Sequence, residues 1–119
     1  MRRQVFAFTV MFCLLAVHCT VNKPTEYNIP PDVGEANRKA LVERFEKGKI
    51  LYINNCSACH GIYTKGKDSV TNFTKQQIDN YTVMALANPK NHAVLKKISA
   101  DQFDYITTFL RLRKPGKKA

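Results

Sequence analysis

Two thiols three positions apart, followed at once by an imidazole, constrain this chain more than any other feature: Cys56-Ser57-Ala58-Cys59-His60. The 119 residues include four cysteines, but Cys13 and Cys19 fall in an apolar N-terminal stretch. Cys56 and Cys59 are therefore the only cysteines of the body. They are too close together to staple a fold, which excludes a disulfide mini-protein. On a helical turn, residues i and i+3 share a side, so both thiols face one neighbour and His60 is carried beside them. The length fits one small domain. At 45% hydrophobic and 24% charged, the composition is globular, which excludes a disordered tail; the length excludes a multidomain enzyme and a porin.

The first nineteen residues read as an export signal. Arg2 and Arg3 precede a run from Val5 to Val17 that only Thr9 interrupts. That run is shorter than the ~20 residues a helix needs to span a bilayer. Leu15-Ala16-Val17-His18-Cys19 resembles a lipoprotein signal, in which Cys19 becomes the lipidated first residue. His18 departs from that pattern, which has a small residue before the cysteine. Ordinary cleavage nearby, or an uncleaved anchor extending to Val21, stands beside it. All three place the body outside the cytoplasm, in a periplasm for a bacterial-type leader, either released or attached to the membrane through Cys19 or the leader.

Charge narrows the partners. Lys and Arg number 19 against 9 Asp and Glu, a formal +10. Five of the positive residues fall near the end: Arg111, Arg113, Lys114, Lys117 and Lys118. They read as a solvated tail, or as a docking patch for an acidic partner or an anionic membrane. Nucleic acid is not expected for an exported chain without aromatic and basic residues interleaved.

Along the chain, residues 20–33 carry Pro24, Pro30 and Pro31 and read as a linker or extended arm. The folded domain spans 34–114, and a basic tail occupies 115–119. A helix begins near Gly34, with Leu41, Phe45, Gly48 and Tyr52 as one stripe. Glycine at position 48 weakens that helix by ~1 kcal/mol relative to alanine, which suggests the close approach of another helix. Residues 61–73 read as a loop. Thr74-x-x-Gln77 is a capping box opening a helix to about Ala87, with Ile78, Tyr81, Thr82, Ala85 and Leu86 on its apolar face. Ser99-x-x-Gln102 opens another to about Leu112, carrying Phe103, Ile106 and Leu110. The two glycosylation-like triplets, at Asn72 and Asn80, are discounted because they fall in a capped helical region. No strand period and no repeat is evident. Three or four short helices make a meagre core, which at this size calls for a staple such as a metal or cofactor.

Cys56-x-x-Cys59-His60 has the form of a c-type haem attachment motif, with the thiols bonding one edge of a porphyrin and His60 reaching the iron. Two other chemistries use such pairs. A thioredoxin-like redox couple wants a preceding strand, and zinc wants four ligands, here only with His60 and His92.

The stretches Gly48-Lys49-Ile50-Leu51-Tyr52 and Asn55-Cys56-Ser57-Ala58-Cys59-His60-Gly61 resemble the class I cytochrome c family, and the resemblance covers most of residues 35–113. It implies an all-α bundle of three to four helices around one covalently bound haem c. It also implies that the last helix crosses the first near Gly48, with Phe103, Tyr105 and Ile106 as candidate contacts. The chain departs from the family on the other side of the haem, where a methionine is usual. The corresponding loop reads Asn88-Pro89-Lys90-Asn91-His92-Ala93-Val94-Leu95-Lys96-Lys97. His92 is the expected second axial ligand, with Met84 or an open iron as alternatives. Leu86, Val94, Leu95, Ile98, Phe103 and Ile106 are candidate walls of the haem pocket.

Imidazole in place of thioether lowers the expected potential. The resulting expectation is a mono-haem electron carrier, not an enzyme, docking acidic redox proteins transiently through lysines. A haem-based small-ligand sensor and a haem subunit of a larger exported oxidoreductase are the alternatives; the first of these needs a labile sixth ligand.

Overall fold

A computed structural model of the chain describes residues 26–64, 67–88, 90 and 92–115. The export signal, with Cys19, and the last four residues of the tail lie outside them. Among the described residues the order is α1 (Glu35–Asn55), α2 (Ser57–His60), a hairpin of β1 (Tyr63–Thr64) and β2 (Lys67–Asp68), α3 (Lys75–Ala87), a 3-10 turn (Ala93–Lys96) and α4 (Ala100–Leu112). The hairpin pairs Tyr63 with Asp68 and Thr64 with Lys67, and is the one ordered departure from an all-α layout in the 61–73 loop.

Both capping boxes form. Thr74 and Ser99 each accept from the amide three residues on, at 3.1 and 3.2 Å, and the Gln77 and Gln102 side chains return the bond. A reciprocal cap satisfies two amides that would otherwise be orphaned, so these helices start where the sequence says. Helix α3 stops at Ala87 because Asn88 is extended, with φ −145°, as expected of a residue before proline.

The core lies where α1 crosses α4. Phe45, Tyr52 and Phe109 are the largest fully buried side chains. Phe109 is the hub, with ring centroids 5.4 Å from Phe45, 5.2 Å from Tyr52 and 5.1 Å from Tyr63. Each such ring contributes about 1.5–3 kcal/mol by burial. Gly48 permits the crossing: a Cβ there would lie 1.9 Å from the Tyr105 carbonyl oxygen and 3.0 Å from the Phe109 Cβ. The glycine itself meets Tyr105 and Phe109; Ile106 belongs to the buried cluster of the crossing and also lines a cleft, which Phe103 lines too.

Parts of both chain ends pack on the body. Within the 20–33 stretch, residues 26–30 are a docked arm. Asn28 donates to the Leu112 carbonyl at 2.7 Å, the Lys114 amide donates to the Glu26 carbonyl at 2.9 Å, and Ile29 is buried. In the basic run, Arg111 is paired with Asp79 at 2.6 Å and Arg113 is buried against Asp68 at 2.6 Å. Those two are cross-links of the fold rather than solvated tail charges.

Candidate functional site

Helix α1 ends at Asn55, and Cys56 (φ −120°) breaks direction before the single turn of α2. His60 N–H donates to the Cys56 carbonyl at 2.9 Å and Cys59 N–H donates to it at 3.2 Å, so both thiols and the imidazole ride on one turn. Both thiols are free, Cys56 half-buried and Cys59 exposed. Burial pushes the Cys56 thiol up from its ordinary value. A redox-active thiol needs the opposite shift.

The backbone at His60 is fixed from two directions. Tyr52 Oη donates to the carbonyls of His60 (2.9 Å) and Gly61 (2.8 Å). Thr71 N–H donates to the His60 carbonyl at 3.2 Å. Gly61 takes φ +101°, and a Cβ there would lie 2.1 Å from the Ser69 carbonyl oxygen, so glycine lets the 61–70 segment fold back. Burial pushes the Tyr52 hydroxyl up to about 12, which keeps it a donor.

Beneath this turn opens a cleft of about 360 Å³. Cys56, Cys59 and His60 form one side, with Val94, Leu95, Ile98, Phe103 and Ile106 among its walls. Leu86 is not one of them: it is 57% exposed and borders a separate, smaller hollow. On helix α3 only Ile78 and Ala85 are buried, with Tyr81 at the cleft's edge, and the wider face read from the sequence leaves Leu86 outside. Met84 is 62% exposed and also lies off the cleft. Phe73, Ile78, Tyr81 and Leu110 line it as well. Ile78, Tyr81 and Leu110 had the helical spacing of core residues, whereas Phe73 sits in a loop without period.

His92 enters from the loop before α4, half-buried at the head of the 3-10 turn. Its ring centroid lies 6.1 Å from that of His60, with the ring planes inclined by 23°. Tyr81 packs edge-on to it, also at 6.1 Å. A metal-bound imidazole nitrogen sits about 2.0–2.1 Å from the ion, so two rings flanking one ion have centroids on the order of 6 Å apart. The pair is thus spaced to hold one ion between its rings inside an apolar cleft, next to two free thiols.

The sequence model of the Cytochrome c family matches residues 45–109, more than half of the chain. The chain belongs to the cytochrome c family. No curated protein and no solved structure matches it.

Membership brings a covalently bound c-type haem and, in general, electron transfer. The residues fit that group: paired thiols on one turn, an adjacent imidazole and a mostly apolar cleft. Among the described residues no strand precedes Cys56 and no group of three or more His, Cys, Asp or Glu is placed to share a metal. Members of the family are typically electron carriers and typically extracytoplasmic. Among the described residues, no helix of this cytochrome c is long and apolar enough to cross a membrane.

Proposed function

We propose that this cytochrome c is an exported, periplasmic mono-haem electron carrier, with thioethers at Cys56 and Cys59 and axial ligation by His60 and His92. The observation that carries the reading is the 6.1 Å spacing of the two imidazoles across the cleft. The bound haem supplies an iron that alternates between ferric and ferrous. Every other task falls to the chain. Val94, Leu95, Ile98, Phe103 and Ile106 exclude water from the ring face, and a dry wall tunes the potential. Were His92 to hold the iron through Nε2, its proton would sit on Nδ1 and Val94 N–H would lose that acceptor; at 3.4 Å the contact is long and worth little. Two imidazoles place the potential below that of a His/Met pair.

Lys90, Lys96 and Lys97 are exposed on the loop that carries His92. They suit transient docking of an acidic redox protein, a contact whose rate falls as salt rises. Lipidation at Cys19 is the proposed membrane attachment. The deciding experiment is absorption of the mature holoprotein, oxidised and reduced, with and without carbon monoxide. A low-spin spectrum without a sulfur-to-iron band, unmoved by carbon monoxide, is expected. A sulfur band would transfer the sixth position to Met84, and a high-spin spectrum shifting with carbon monoxide would replace the carrier with a ligand sensor.

A further inference from the structure

Arg113 ends α4 with a side chain only 3% exposed. Nη1 donates to Asp68 Oδ2 at 2.6 Å. Nη2 donates to the carbonyls of Val70 and Thr71, both at 3.2 Å, and to Asn72 Oδ1 at 2.7 Å. Its Nε is buried without a partner among the described residues. Removing both charges from water carries a penalty that their attraction offsets only when hydrogen bonding is complete. Here it is incomplete, so stability is a poor account of the pair. A planar fork does one thing an apolar side chain of the same volume does not: it fixes several acceptors in one arrangement.

The acceptors it fixes all fall within residues 68–72, Val70 to Asn72 in succession, and their segment is the one that touches His60. Thr71 N–H donates to the His60 carbonyl at 3.2 Å. Phe73, two residues on, packs its ring edge-on to the His60 imidazole with centroids 6.1 Å apart. Groups behind a metal ligand commonly set its ring orientation and basicity.

We propose that Arg113 is a positioning residue for His60: its guanidinium holds residues 68–72, and through Thr71 and Phe73 sets the plane of the His60 imidazole. The proposal rests on the reading that His60 binds the iron. The test compares ferric holoproteins by proton NMR, because the paramagnetic shifts of the haem methyl groups follow the plane of an axial imidazole. The variants are R113K, which keeps the charge and loses the fork, and N72A, which removes one acceptor at an exposed position and should fold even where R113K does not. S99A is the control, removing the cap at the opposite end of the same helix. R113K and N72A are expected to change the spacing of the methyl shifts and to speed exchange of the Thr71 amide by about tenfold or more. S99A is expected to lower the melting temperature with a wild-type shift pattern. Wild-type methyl shifts in N72A, and in R113K if it loads haem, would overturn the positioning role. A wild-type low-spin spectrum in H60A would instead overturn the ligation on which it rests.

Discussion

The ring centroids of His60 and His92 lie 6.1 Å apart at the cleft, while Met84 lies outside it with 62% of its surface exposed. If His92 ligates as proposed, removing it should open a coordination position that Met84 is not placed to fill. H92A is expected to bind carbon monoxide in the ferrous state, and M84L is expected to keep the wild-type spectrum. H92M, restoring a thioether, should raise the potential by on the order of 0.1 V, a fraction of the ~0.8 V range that axial ligands command. Potentiometry of the three variants checks this. A spectral change in M84L would move the ligand to Met84.

At Gly48 the obstacle to any side chain is backbone. The added Cβ of G48A would sit 1.9 Å from the Tyr105 carbonyl oxygen and 2.6 Å from its carbonyl carbon, neither of which can rotate away. Helices α1 and α4 must separate, which loosens the Phe45, Tyr52 and Phe109 cluster. Overpacking of this kind costs about 3 kcal/mol. Denaturant unfolding of the holoprotein measures it, and a loss below about 1 kcal/mol would mean the crossing has slack.

What the sequence made legible was local or stapled to a motif. The starts of α3 and α4 follow from capping residues three positions apart, and the thiol and imidazole side of the cleft follows from the Cys56 to His60 spacing. Contacts between distant residues carried no local signal. Arg111 and Arg113 look like tail charges because their partners, Asp79 and Asp68, lie 32 and 45 residues earlier in the chain. Nothing local marks Phe109 as the core's hub, because its ring partners come from α1 and the hairpin. Leu86 was misplaced for another reason: periodicity gives a helix's apolar face but not how much of it a small domain covers.

The arm before α1 should matter to stability. Tyr27 packs edge-on to Phe45 at 5.5 Å, and Glu26 pairs with Lys49 at 2.8 Å. The ion pair is partly exposed and worth little, about 0–1 kcal/mol. The ring is worth more, so Y27A should destabilise by about 2–3 kcal/mol and E26Q by less than about 1. Thermal melts of the two variants make the comparison. Equal and negligible losses would return the arm to a linker.

Tyr52 sets an alkaline limit. It is 1% exposed, and burial pushes its hydroxyl up to about 12. An unfolded tyrosine titrates near 10. Below pH 10 both states hold the proton and the neutral hydroxyl contributes in full. Between about pH 10 and 12 only the unfolded state releases it, so stability falls as pH rises, by about 2–3 kcal/mol across the window. Y52F should lose about 1–2 kcal/mol at neutral pH, because Gly61 O loses its donor while His60 O keeps the Thr71 amide. Its stability should then decline less steeply above pH 10. Some decline remains, since burial also pushes Tyr63 and Tyr81 up. Unfolding free energies at pH 8, 10 and 11.5 separate the two proteins. Parallel pH dependences would mean that Tyr52 does not hold its proton against the two carbonyls, and that His60 is fixed from the Thr71 side alone.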